Sequence, residues 1–107
     1  MEVSTRTIVA TTIVHPNPGA AWGDVQKQLK RATELASKHG AENVTVLVTM
    51  VGGQGTNAIG LLTTAQDWAT YGKVQQSLST DPDYQGLLID AGKIATWENY
   101  DSQTIDV

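Results

Sequence analysis

Hydrophobic and polar positions change period several times along this chain, and each change marks an element. Residues 6–15, Arg-Thr-Ile-Val-Ala-Thr-Thr-Ile-Val-His, are rich in β-branched side chains and predict a first strand. Pro16-Asn17-Pro18-Gly19 ends it, because proline cannot donate to a ladder. Trp22, Val25, Leu29, Ala32 and Ala36 then recur at steps of three and four, with Gln26, Lys27, Lys30 and Arg31 between them. That spacing predicts an amphipathic helix, closed by His39-Gly40, a basic last turn and a glycine cap. Residues 44–51 return to strand character, Gly52-Gly53-Gln54-Gly55 predicts a tight turn, and 56–64 completes a hairpin. Residues 65–78 read as a second helix, with Trp68, Tyr71, Gln75 and Leu78 on one stripe and the two aromatics filling the core. Asp81-Pro82-Asp83 predicts a turn or helix start, followed by a short helical turn with Tyr84, Leu87 and Leu88. Residues 93–100 form a fourth strand, and the last six residues are expected to fray.

The order β-α-β-β-α-β is the split βαβ arrangement. It predicts an α+β, ferredoxin-like fold over residues 1–107, with a four-stranded antiparallel sheet ordered 4-1-3-2 and two helices on one face. The alternation within strands adds a partner. Val44, Val46, Val48 and Met50 share one face, but Leu47 and Val51 lie on the other; Ile8, Ala10 and Val14 likewise oppose Val9 and Ile13. A sheet wetted on one side alternates more cleanly than this. One copy supplies one sheet, so the second apolar face predicts a homodimer.

Composition narrows the chemistry. With 107 residues, 40% hydrophobic and 17% charged, the chain is an ordinary globular protein. The absence of Cys excludes disulfides, iron–sulfur clusters and a thiolate nucleophile. A net charge of −4 argues against a nucleic-acid partner, which needs a basic patch. The imbalance sits in residues 65–107, which carry seven acidic and two basic groups. No apolar run approaches the roughly 20 residues that span a bilayer. Met1-Glu-Val-Ser-Thr-Arg lacks the pattern of a secretory signal, so no membrane association and a cytoplasmic location are expected. The glycine-rich turn has no Lys-Ser/Thr after it and is no phosphate loop. Residues 57–62 lack the aromatics on which an RNA-binding sheet stacks bases.

His15 and His39 stand 24 positions apart without a carboxylate spaced for a metal, so no metal site is expected. His39 fits a helix cap. His15 closes strand one before a loop, where it could act as a general base or remain a solvated side chain. The topology gathers His15, Trp22, Met50 and Tyr84 at one end of the sheet, with Trp97 on strand four. Apolar walls with a few polar anchors are what a small-molecule pocket requires, and these five residues are its predicted lining. Whether Trp97 faces the helices or the partner subunit depends on the register of strand four.

Asp67-Trp68-Ala69-Thr70-Tyr71-Gly72, then Asp81-Pro82-Asp83-Tyr84 and Leu87, resemble the corresponding stretch of NIPSNAP-like proteins. These belong to the dimeric α+β barrel superfamily, alongside the antibiotic-biosynthesis monooxygenases. The resemblance implies a homodimer of ferredoxin-like subunits. Its members include cofactor-free oxygenases, isomerases, haem enzymes and ligand carriers, so it implies no single activity. The haem-binding histidine of some members is not matched by His15 or His39, and no cofactor is expected. The function expected is binding of a fatty-acid-like or aromatic molecule between sheet and helices. The alternatives are a cofactor-independent oxygenase or isomerase with His15 as its base, and a structural, stress-related oligomer.

Overall fold

A computed structural model describes residues 7–50, 52–53 and 57–106. The elements follow as β1 (Ile8–Pro16), α1 (Trp22–Lys38), β2 (Glu42–Val48), β3 (Ile59–Ala65), α2 (Trp68–Ser79), α3 (Pro82–Gly92) and β4 (Ala95–Gln103). The strands form one four-stranded antiparallel sheet in the order β2-β3-β1-β4, which is the predicted ferredoxin-like arrangement. Among the described residues three helices, rather than two, accompany it. Half of the predicted hairpin turn, residues 54 and 55, together with residues 51 and 56, lies outside the described residues.

Register decides what each face carries. Val14 lies between Ile59 and Trp97, and Ile8 between Ala65 and Gln103. Successive side chains alternate across the sheet, so Ile8, Ala10, Thr12 and Val14 face the helices while Val9, Thr11, Ile13 and His15 face away. Ile8 and Val14 are completely buried. The opposite, open face carries half-buried Val9, Ile13 and Leu62 and exposed Leu47 and Tyr100.

The helices start and stop for local reasons. α1 buries Val25, Gln28, Leu29 and Leu35 at helical spacing. Its end is set by His39 at the C-cap and by Gly40, whose φ of 97° is a left-handed conformation that suits glycine. The segment predicted as a short turn is the eleven-residue α3. Asp81 Oδ1 accepts from the Asp83 amide at 2.9 Å, Pro82 occupies the first turn, and Leu87 and Ala91 bury at a spacing of four. Cap and apolar stripe together sustain several turns where the composition alone indicated one.

Two further expectations change. The tail does not fray after residue 101: β4 continues to Gln103, and the Thr104 amide donates to the Thr7 carbonyl at 3.0 Å. Backbone pairing and polar side-chain bonds hold the end of this edge strand, whose side chains from Glu98 onward are exposed, so hydrophobic pattern could not reveal it. Trp68 is not in the core. α2 begins at Trp68, which places the indole in the first turn, half exposed, with its Nε1–H donating to Gln103 Oε1 at 2.8 Å. Its ring meets Tyr71 edge-on, and Val74 and Leu78 are the buried residues of α2.

Core and periphery should therefore respond differently to truncation. Ile59→Ala is expected to cost about 2–5 kcal/mol in denaturant melts. Trp68→Ala, which removes one hydrogen bond and one aromatic pair, is expected to cost only about 1–2 kcal/mol.

Candidate functional site

The core on the helix side of the sheet is split. Val14, Val25, Leu29, Ile59 and Ala95 form one cluster where the first half of α1 lies on the strands. Leu35, Val74, Leu78, Leu87 and Ala91 form a second cluster among the helices. Trp97 packs against both. Between the second cluster and the middle of the sheet lies a cavity of about 790 Å³.

The cavity follows from side-chain size at particular register positions. Between buried Ile8 and Val14, the helix-facing residues of β1 are Ala10 and Thr12. Their cross-strand neighbours are Thr63 and Leu61 on β3, and Asp101 and Asn99 on β4. The short side chains of Ala10, Thr12 and Thr63 leave the floor low beneath a roof that includes Leu35 of α1, Leu78 of α2 and Leu87 of α3. Tyr71, Gln75 and Tyr84 bring polar atoms to the same space.

These polar groups are already arranged. Thr12 Oγ1–H donates to Asn99 Oδ1 at 2.7 Å, and Trp97 Nε1–H donates to the Ala91 carbonyl at 3.0 Å. The Tyr71 phenol is held above its usual range by burial first, then by its hydrogen bond to the Asp101 carboxylate and that group's charge, with Tyr84 adding to the effect. Tyr71 therefore keeps its hydroxyl proton at neutral pH. Among the described lining residues there is no histidine, lysine or arginine. Among all described residues, no group of three or more His, Asp or Glu side chains is placed to hold a metal ion. No helix among them is long and apolar enough to cross a membrane.

The five residues predicted to line one pocket are not brought together. Tyr84 and Trp97 lie on the cavity wall, and register turns Trp97 toward the helices. His15 has the opposite parity to Val14 and projects from the open face, 3.2 Å from Glu98 Oε1. Trp22 begins α1 and is half exposed, because the buried stripe of that helix starts at Val25. Met50 lies beyond the end of β2 and is 76% exposed. Sequence reasoning missed Tyr71, Asn99 and Asp101. One signal could have found them: Trp97, Asn99 and Asp101 alternate on a single strand face, and polar residues on a core-facing side indicate a space that apolar packing does not fill.

A second polar cluster joins the helices. His39 is the C-cap of α1, but its ring serves the junction of α2 and α3. A carboxylate can only accept, so His39 Nε2–H donates to Asp81 Oδ2 at 2.7 Å, and Nδ1 of the same ring is hydrogen-bonded to the Ser77 hydroxyl. Lys38 Nζ reaches the same carboxylate oxygen at 3.2 Å. This hydroxyl–imidazole–carboxylate series is interhelical scaffolding: Asp81 also caps α3, and Ser77 does not line the cavity.

No protein-family model and no curated protein matches the chain. Solved structures do. A NIPSNAP family protein of unknown function from Agrobacterium tumefaciens superposes with a TM-score of 0.74 at 16% identity, covering 96% of this chain and 92% of that one. SnoaB, a cofactor-independent oxygenase from Streptomyces nogalater, superposes with a TM-score of 0.71 at 10% identity, covering 94% and 95%. A dimeric ferredoxin-like protein of unknown function from Thermobifida fusca gives 0.65 at 11% identity, covering 97% and 94%. The chain thus has the ferredoxin-like fold of these proteins, and at these identities the likeness speaks for the fold alone.

The interhelical cluster has a pH signature. Its hydrogen bond from His39, then the Asp83 amide and Lys38, hold the Asp81 carboxyl at about 2, against an ordinary value of 3.8. A depressed carboxyl stabilises the fold fully above its unfolded value and loses that contribution as pH falls through the folded one. Acid melts between pH 5 and about 2 should therefore be steeper for the wild type than for Asp81→Asn.

Proposed function

We propose that this chain is a small-molecule-binding protein that holds one apolar or amphipathic ligand per subunit in the cavity between sheet and helices. The observation that carries this reading is the cavity itself, about 790 Å³ in the middle of the fold. That size lies within the range of about 300–1,000 Å³ usual for ligand pockets. Leu35, Leu78, Leu87 and the rings of Tyr84 and Trp97 supply apolar wall, and Tyr71, Asn99 and Asp101 supply orienting polar groups. Burying a ligand's apolar body there contributes about 0.8 kcal/mol per methylene.

The working unit of this reading is a homodimer. The helix-free face exposes Leu47 and Tyr100 beside Val9, Ile13 and Leu62, an apolar surface that a second copy would cover. One of the proteins sharing the fold is itself described as dimeric.

A second reading, a cofactor-independent oxygenase or isomerase, is favoured by one observation. Glu98 Oε1 lies 3.2 Å from His15 Nε2, the kind of carboxylate neighbour that a general-base histidine uses, and SnoaB shares the fold. Turnover lost in His15→Ala with binding retained would select it.

Trp22→Phe/Trp68→Phe leaves Trp97, the cavity residue, as the only indole. Titration of this variant with fatty acids, planar phenols and alkyl amines should shift its emission. If none of them does, and an experimental structure shows side chains filling the interior, the chain is a structural oligomer. In light scattering the wild type should have twice the 11.4 kDa chain mass, and Leu62→Lys should shift it toward one chain.

A further inference from the structure

We infer that the cavity selects an organic cation, an apolar body bearing a protonated amine, over the corresponding carboxylate. This rests on the small-molecule reading and adds the charge of the ligand. Among the described residues, the lining carries one formal charge, the Asp101 carboxylate, and no cationic side chain. Arg31 and Lys38, the basic groups of α1 nearest the roof, are engaged elsewhere: Arg31 with Asp90 at 2.9 Å and Lys38 with Asp81 at 3.2 Å.

The hydrogen-bonding state of the wall points the same way. An anion needs donors, and two of the donors here are already spent: Trp97 Nε1–H is bonded to the Ala91 carbonyl and Thr12 Oγ1–H to Asn99. The side-chain amides of Asn99 and Gln75 can still donate, but they carry no charge to offset the Asp101 carboxylate. A bound carboxylate would lie near Asp101 without a cation to offset the repulsion. An ammonium group finds the reverse situation. The lone pairs of Asp101 accept its N–H bonds, and the aromatic residues Tyr71, Tyr84 and Trp97 line the same space. The surrounding charge reinforces the selection: residues 65–107, which contribute α2, α3 and β4, hold seven acidic and two basic groups.

The test is calorimetric titration of the full-length wild-type protein at pH 7 with decylamine, decanol and decanoate, all below their micellar concentrations. These three probes share a chain length and differ in head-group charge. Decylamine is expected to bind at least about tenfold more tightly than decanoate, with decanol between them. Raising the salt from about 0.05 to 0.5 M should narrow the gap. Asp101 is exposed, so Asp101→Asn should fold, with an unchanged circular dichroism spectrum, and should bring the three affinities to within about threefold. Tyr71→Phe, which keeps the carboxylate, should keep the preference for the amine. Decanoate binding as tightly as decylamine, or a preference that survives Asp101→Asn, would overturn the charge selection while leaving the small-molecule reading in place. Failure of all three probes to bind would overturn both.

Discussion

β1 pairs with β3 on one side and β4 on the other, and this double register is the constraint from which the rest of the structure follows. It buries Ile8 and Val14 against the helices and places Ala10 and Thr12 between them. It brings Trp97, Asn99 and Asp101 to the same face and sends His15, Glu98 and Tyr100 to the other. A slip of one residue would exchange the two sets, exposing Ile8 and Val14. The large energy of burying those side chains therefore also positions the polar groups of the cavity, which contribute little to setting the register themselves.

The helices are held above this sheet by contacts at their ends as well as along their faces. Arg31 bonds both Gln28 and Asp90, which joins α1 to α3. His39, Ser77 and Asp81 join the end of α1 to the junction of α2 and α3, where Asp81 also caps α3. The second apolar cluster fills the space among the helices without reaching the sheet centre. The cavity is what remains between a roof fixed by interhelical contacts and a floor of short side chains. Its location is thus a result of two separately stabilised layers, and both layers have independent reasons to be where they are.

The open face relates the fold to its proposed use. His15, Glu98 and Tyr100 form a linked polar group there, with Glu98 accepting from the Tyr100 hydroxyl at 2.6 Å and lying 3.2 Å from His15. They stand among Val9, Ile13 and Leu62 on a surface that the described residues do not cover. In the proposed dimer this polar group would sit at the junction of two sheets, remote from the helix-side cavity. A ligand site and an assembly surface on opposite faces of one sheet are a division of labour that the fold permits and side-chain parity enforces.

Much of this was legible in the sequence. The β-branched run of β1, the three-and-four spacing of α1, and the Asp-Pro start of α3 are local signals, since each depends on neighbours within a few residues. Together they determined the element order and, through it, the sheet order. The two-sided apolar character of the strands was likewise readable before any pairing was known. What the chain pattern could not decide was everything that depends on contact between distant segments. Trp97 and Tyr84 meet at the cavity, but His15, Trp22 and Met50 do not, because strand parity and the first residue of a buried stripe separate them. The meeting of Tyr71 with Asp101, 30 positions away, and of Thr12 with Asn99, 87 positions away, arises only when β4 takes its register beside β1. Hydrophobic periodicity records which side chains avoid water. It carries no record of which polar groups that leaves facing one another, and so the cavity and its charge belong to the tertiary structure alone.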